Sequence, residues 1–363
     1  MCKKRSKLKL AREQAEKTVN KTNKKISELG KNTSKICEEL NTLQQLFDAI
    51  RNVPNEKRLE YERLKKIRLN WKQQAEKIES DYKNATVKNV GKGAAGVSAG
   101  VAVVALGPTA AMGIATTFGV ASTGTAISTL SGAAATNAAL AWLGGGALVA
   151  GGGGMAAGEI FLTLFGPVGW TIAGIALLGS GILLWKGKSD RNRLEDIFTL
   201  ISKRDVKSYE LAIVEINERI SRINDESQEL TIAIEQIKSF GLDYDLMTEA
   251  QQYELGSYVN LMNASTQLLV NPIMGLQPKY SENDLKEYLS SHKKNLGEKE
   301  KQLIISLANL LYKIDMDDKD KHLLWKSFKG NKKFLSSIGM TKKEFEFSVI
   351  ETVCDALKYK YCS

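Results

Sequence analysis

Apolar and small residues recur along the N-terminal part of the chain at the alternating three- and four-residue steps of a heptad repeat. Such a seam predicts a long α-helix that packs against another helix. Pro54 ends the first seam, because proline disfavours helical backbone at the preceding residue, and a second seam follows it. The two seams predict an antiparallel helical hairpin. The first contains Ala15, Val19, Thr22, Ile26, Leu29, Thr33, Ile36, Leu40, Leu43, Phe47 and Ile50, and the second contains Leu64, Ile67, Trp71, Ala75, Ile78, Tyr82 and Ala85.

The same pattern returns in the second half of the chain. A short amphipathic piece precedes a third long seam, and Gly241 is placed to end that helix. Residues 271–279 contain Pro272 and Pro278 and are typical of a linker. The short piece contains Leu194, Ile197 and Ile201, and the seam contains Tyr209, Ile213, Ile216, Ile220, Ile223, Ser227, Leu230, Ile234 and Ile237.

Residues 281–363 carry start signals of several short helices. Ser281 with Asp284 and Thr341 with Glu344 have the spacing of capping boxes, and Gly297 precedes a helix predicted over residues 298–313. No stretch alternates like a strand, so we predict an all-α fold. Its parts are a basic N-terminal helical hairpin (1–92), an uncharged region (93–185), a long coiled-coil helix (186–241), a helix and linker (242–280) and a C-terminal helical module (281–363).

The uncharged region sets this chain apart from ordinary soluble proteins. Residues 93–185 contain one ionisable side chain, Glu159, and 21 of the chain's 30 glycines. Soluble domains carry about 25% charged residues, so this region must be buried in protein or in lipid. Residues 160–185 form the best candidate for a membrane-spanning helix, since about 20 apolar residues cross a bilayer. Residues 97–120 and 139–150 are weaker candidates.

Particular residues in this region suit packing inside a membrane. Gly96 with Gly100, and Gly154 with Gly158, have the four-residue spacing that lets helix backbones approach closely. Glu159 would line a pore, act as a protonation switch or join helices, because a carboxylate in lipid must be neutralised, paired or hydrated. The alternative places it in water at the tip of a hairpin. Trp170 and Trp185 are candidate interface anchors.

The positive charge is concentrated before the uncharged region. Of 51 Lys and Arg residues, 24 lie in residues 1–92 against 12 Asp and Glu residues. We expect this arm to contact anionic lipid head groups. A solvated coiled-coil face and a nucleic-acid arm are the alternatives, and the first 25 residues, which hold ten of the basic residues, lack the aromatic residues that stack on bases. Basic residues at both ends of the region predict an even number of crossings. The candidate head-group contacts are Lys3, Lys4, Arg5, Lys186 and Lys188.

Catalytic and metal-binding patterns are not found in the sequence. The acidic run from Asp315 to Asp320 lacks the glycine and the final glutamate of a calcium loop, and two histidines supply no zinc set or triad. We therefore expect no enzyme activity, cofactor or metal. The N-terminus lacks the apolar core of a secretion signal, and Cys2, Cys37, Cys354 and Cys362 fit reduced thiols. These features predict a cytoplasmic protein that moves to, or resides in, the cytoplasmic membrane.

Long heptad helices on both sides of an apolar hairpin resemble the α-helical pore-forming toxins. The layout is similar to the cytolysin A and haemolysin BL type, and the Ala- and Gly-rich hairpin is similar to that of the colicins. The resemblance covers about residues 9–240 and is one of architecture. It implies a pore-forming protein whose apolar hairpins are sequestered until triggered. This sequence departs from the secreted toxins in lacking an export signal.

The sequence therefore leads to one main hypothesis and two alternatives. The main hypothesis is a homo-oligomeric membrane-permeabilising effector acting from inside the cell, as a toxin or in defence against phage. Its C-terminal module would receive the trigger or bind a protein partner. The first alternative is a constitutive membrane-anchored coiled-coil scaffold. The second, nucleic-acid binding by the basic arm, is not expected.

Overall fold

The computed structural model describes residues 7–90, 108–119, 187–331, 335 and 340–362. Within these ranges the chain is helical and contains no strand, apart from one isolated bridge between Arg51 and Asp243. The predicted all-α class is confirmed. The helices are α1 (Lys7–Ala49), α2 (Asn55–Val90), α3 (Pro108–Phe118), α4 (Lys188–Ile237), α5 (Glu249–Val270), α6 (Glu282–Ser291), α7 (Glu298–Leu311), α8 (Asp318–Gly330) and α9 (Phe347–Cys362).

The two longest helices, α1 and α4, lie side by side and run in the same direction. At their N-terminal ends Lys7 Nζ is 3.8 Å from Asp196 Oδ1. Just beyond their C-terminal ends the amide of Arg51 donates to Leu242 O at 2.9 Å, and the amide of Tyr244 donates to Arg51 O at 3.0 Å. At 1.5 Å per residue, α1 is about 65 Å long. These two helices form the frame of the molecule.

Helices α2 and α5 run back in the opposite direction. Lys65 Nζ of α2 is 3.0 Å from Asp48 Oδ2 near the end of α1, so α2 runs antiparallel to α1. Lys57 Nζ near the start of α2 donates to Gln252 O near the start of α5 at 3.2 Å. Helix α1 makes more extensive contact with α4 than with α2. Helix α2 packs mainly on α3 and α5.

The heptad seams are the buried faces of their helices. Every seam residue whose side chain is described is buried, including Trp71 of α2 and the threonines of α1; the side chains of Val19, Tyr82 and Ala85 lie outside the described set. The short amphipathic piece and the third seam belong to one continuous helix, α4. That helix ends at Ile237, and Gly241, with φ of 82°, lies in the loop that follows.

The C-terminal helices form a second hydrophobic core together with the beginning of α4. Leu194, Ile197, Phe198 and Ile201 of α4 are buried in it, so α4 contributes to both cores. The Ser281–Asp284 capping box forms at the start of α6. The helix predicted over residues 298–313 ends two residues earlier, at Leu311.

A buried polar cluster lies where the two cores meet. Arg204 Nε donates to Asp205 Oδ1 at 2.8 Å, and its guanidinium also donates to the carbonyls of Leu310 and Tyr312 at the end of α7. Burial raises the pKa of Asp205 to about 7, although Arg204 opposes this shift. The side chain of Asn309 bonds the backbone at Tyr280 and fixes the linker to α7. The C-terminal module is thus held to α4 by polar contacts.

Candidate functional site

Most residues predicted to act in a membrane lie outside the described ranges. Lys188 is described, and it is the exposed first residue of α4. The part of the uncharged region that the structure does describe is α3 with Gly119. The predicted residues outside the described ranges are Lys3, Lys4, Arg5, Gly96, Gly100, Gly154, Gly158, Glu159, Trp170, Trp185 and Lys186.

Helix α3 lies inside the bundle of long helices. It contacts α1, α2 and α5, and its residues from Ala111 to Phe118 are buried, with Met112 partly so. Ile114 and Phe118 are its largest buried side chains. Burying each of these from water is worth about 1.5–3 kcal/mol. Charged helices therefore shield this piece of the uncharged region from solvent.

Two glycines bring the backbones of α1 and α3 into direct contact. A Cβ added to Gly30 would overlap the Thr109 carbonyl oxygen and lie 3.0 Å from Gly113 N. A Cβ added to Gly113 would overlap the Ile26 carbonyl oxygen and lie 3.1 Å from Gly30 Cα. Only glycine fits at either position. Small residues thus let the backbone of α3 approach that of a charged helix closely, whereas the glycine pairs predicted from sequence lie outside the described ranges.

The end of α3 is tied to the segment that follows α5. The amide of Ile273 donates to Thr117 O at 2.8 Å. Gly119 has φ of 74°, and a Cβ there would lie 2.5 Å from Val270 O and 2.9 Å from Pro272 Cδ. The chain thus leaves α3 through a glycine that both the backbone angle and the neighbouring backbone require.

Arg68 links three helices of the bundle on the side nearer the turn between α1 and α2. Its guanidinium donates to Gln44 Oε1 of α1 at 2.7 Å and to Thr266 Oγ1 of α5 at 3.2 Å. Burial lowers the pKa of Arg68 to about 10, because the charged form loses its hydration. The partners are neutral, so this buried cation joins three helices without a direct carboxylate bond.

The described residues contain no arrangement that would hold a metal ion. The acidic run instead caps and anchors α8. Asp317 Oδ1 accepts from the amide of Asp320 at 2.8 Å, and Arg193 of α4 binds both carboxylates. Burial raises the pKa of the Cys37 thiol, which disfavours the reactive thiolate.

Gly30 and Gly113 were not among the residues predicted from sequence. Gly30 is the only glycine in the 43 residues of α1, and it interrupts an otherwise continuous heptad helix. A glycine inside a helix costs about 0.5–1 kcal/mol relative to alanine. A lone glycine at such a position therefore signals close packing, and this signal is readable from sequence.

None of the helices in the described part of the chain combines the length and apolar character needed to cross a bilayer. The predicted crossing at residues 160–185 lies outside that part. A search for similar proteins finds no family model, curated protein or solved structure that matches this chain.

Proposed function

We propose that this protein inserts its uncharged region into a lipid bilayer and permeabilises it, after a resting state in which part of that region is stored among the long helices. The observation that carries the proposal is the burial of α3. A segment from a stretch of 93 residues with one ionisable side chain is covered by helices whose outer faces are charged.

The energetics of transfer favour storage followed by release. Lipid tails are about as apolar as a protein core, so α3 would keep its hydrophobic stabilisation on moving from the bundle to a bilayer. The cost of release is the loss of packing at Gly30 and Gly113 and of the backbone bond to Ile273. Moving α3 into water would instead forfeit the burial of Ile114 and Phe118. A bilayer is therefore the destination for which release costs least.

The remaining parts of the proposal rest on sequence. The basic residues around the uncharged region suit anionic head groups on the cytoplasmic side of the membrane. Helices faced with small residues associate in lipid, so we propose a homo-oligomer as the inserted form. The C-terminal module, held to α4 by Arg204 and Arg193, would receive the trigger or a protein partner. An effector of this kind would serve as an intracellular toxin or in defence against phage.

Dye release from anionic liposomes by the full-length protein tests the proposal. Leu178→Asp places a carboxylate within the best predicted crossing and should abolish release. Leu59→Asp is the matched control, because Leu59 is an exposed residue of α2 and its replacement should leave release unchanged. Equal release by both variants would place the activity elsewhere. Membrane binding by the parent without any release would contradict permeabilisation and favour the membrane-anchored scaffold.

A further inference from the structure

The outer face of α4 carries an apolar stripe that the described helices do not cover. Leu200, Leu211, Val214 and Ile232 are 52%, 54%, 62% and 51% exposed. At about 100° per residue these four positions fall within an arc of about 60°, on the side of α4 opposite its buried seam. The stripe extends over 33 residues, or about 48 Å.

Exposed charges on the same face are mostly basic in the N-terminal half of the helix and acidic in the C-terminal half. Lys203 and Lys207 lie in the first half, Glu218, Asp225 and Glu229 lie in the second, and all five are exposed. None of these five has an ion-pair partner among the described side chains, whereas Asp196, nearer the start of the helix, pairs with Lys7. Four of the charges and the two end residues of the stripe are symmetric about Ile216, and Glu218 has no charged counterpart. Lys203 and Glu229 are each 13 residues from it, Lys207 and Asp225 are each nine, and Leu200 and Ile232 are each 16.

From this symmetry we infer that the outer face of α4 is a homodimer interface, in which a second copy packs antiparallel about a two-fold axis at the height of Ile216. A two-fold axis brings the same patch of both copies together. Lys207 then faces Asp225 of the second copy, and Lys203 lies near its Glu229. Leu200 meets Ile232 at both ends, while Leu211 and Val214 lie near the axis.

Other arrangements leave this pattern unsatisfied. A parallel pair in register would place each lysine beside the same lysine of the other copy, which is repulsive. The chain's own residues 120–186 could reach the stripe, since they begin after Gly119 and end before Gly187. They contain one cation, Lys186, and one anion, Glu159, so they cannot match the four charges. The charge pattern therefore favours a second copy over the uncharged region.

Charge exchange in the full-length protein tests this interface. The double variants Lys203→Glu/Lys207→Glu and Asp225→Lys/Glu229→Lys should each weaken self-association about tenfold or more, because like charges then face one another. An equimolar mixture of the two should dimerise, since every facing pair is again opposite in sign. The fourfold variant should self-associate like the parent. Sedimentation velocity over a range of concentrations measures each association.

The control is Lys66→Glu/Lys77→Glu on the exposed face of α2, which makes the same change in net charge and should leave association unchanged. Circular dichroism confirms that each variant is helical. A parent protein that stays monomeric at about 100 µM would overturn the inference and favour cover of the stripe by the uncharged region. So would dimers that survive both reversals, or a mixture that fails to associate. The interface and the membrane activity are independent, because dimerisation is measured without lipid.

Discussion

Replacement of Gly30 by alanine should loosen the contact between α1 and α3. The new Cβ would overlap the Thr109 carbonyl oxygen and lie 2.8 Å from the carbonyl carbon. The obstacle is backbone, so the whole of α3 must shift. Overpacking of this kind costs about 1–3 kcal/mol, whereas alanine inside a helix gains about 0.5–1 kcal/mol over glycine. Because the overlap is severe and involves backbone, the cost should lie in the upper part of that range, and we expect a net loss of about 1–2 kcal/mol in the free energy of unfolding.

Gly256→Ala in α5 provides the matched control. Its new Cβ would meet only the end of a flexible side chain, with Lys57 Nζ at 3.4 Å. This variant should therefore gain about 0.5–1 kcal/mol from helix propensity alone. Urea unfolding followed by circular dichroism should separate the two variants. If Gly30→Ala were as stable as Gly256→Ala, the close packing of α1 on α3 would be refuted.

The same variant connects packing with the proposed function. A loss of 1–2 kcal/mol corresponds to a factor of about 5–30 in an equilibrium constant, so the population with α3 detached should rise by that order. Dye release from anionic liposomes should then begin several times faster with Gly30→Ala than with the parent. Gly256→Ala should release no faster than the parent. A destabilised Gly30→Ala with unchanged release would refute the storage of α3 as the resting state.

Four further substitutions test other contacts of the fold. Burial raises the pKa of Asp205 from the ordinary 3.8 to about 7. The free energy of unfolding should therefore fall by up to about 4 kcal/mol as pH rises from about 4 to about 7. Urea unfolding of Asp205→Asn across that range should lack this decrease. Asn309→Ala removes four hydrogen bonds of 2.7–3.0 Å and should lower the free energy of unfolding by about 3 kcal/mol. Thermal unfolding measures this loss. The control is Asn283→Ala at an exposed position, which should change stability by less than about 0.5 kcal/mol. Gly241→Ala, with φ of 82° and nothing near its Cβ, should cost about 1–2 kcal/mol, and Gly119→Ala should cost more in the same denaturant assay because its Cβ also meets Val270 O.

The long helices were predictable because their buried faces are regular. A seam that alternates steps of three and four residues identifies the helix, its inner face and its ends, and the structure buries the seam residues of α1, α2 and α4 that it describes. The seam does not identify the partner. The closest neighbour of α1 is α4, more than 130 residues later in the chain, and no local pattern in either helix encodes that pairing.

Helix α5 shows where a periodic pattern is harder to detect. It packs against α2, α3 and α4 together, so its buried positions surround much of the helix. They include Ser265 and Thr266, whose side chains bond Glu226 and Arg68. Leu255, Val259, Met262, Thr266 and Leu269 are buried and step by four and three, but neighbouring positions are buried as well, so this short seam stands out less than those of the long helices. Its residues were therefore predicted only as part of a helix and linker.

The two halves of the α1 seam differ in size, and this difference matches the position of α3. The C-terminal half carries large side chains, among them Phe47, which contacts Tyr61 of α2. The N-terminal half carries the smaller Thr22 and Thr33 besides Ile26 and Leu29, and Gly30, beside this seam, admits the backbone of α3. The cost of an emptied site grows with the cavity that remains, so the proposed release of α3 requires the surrounding helices to close over its place.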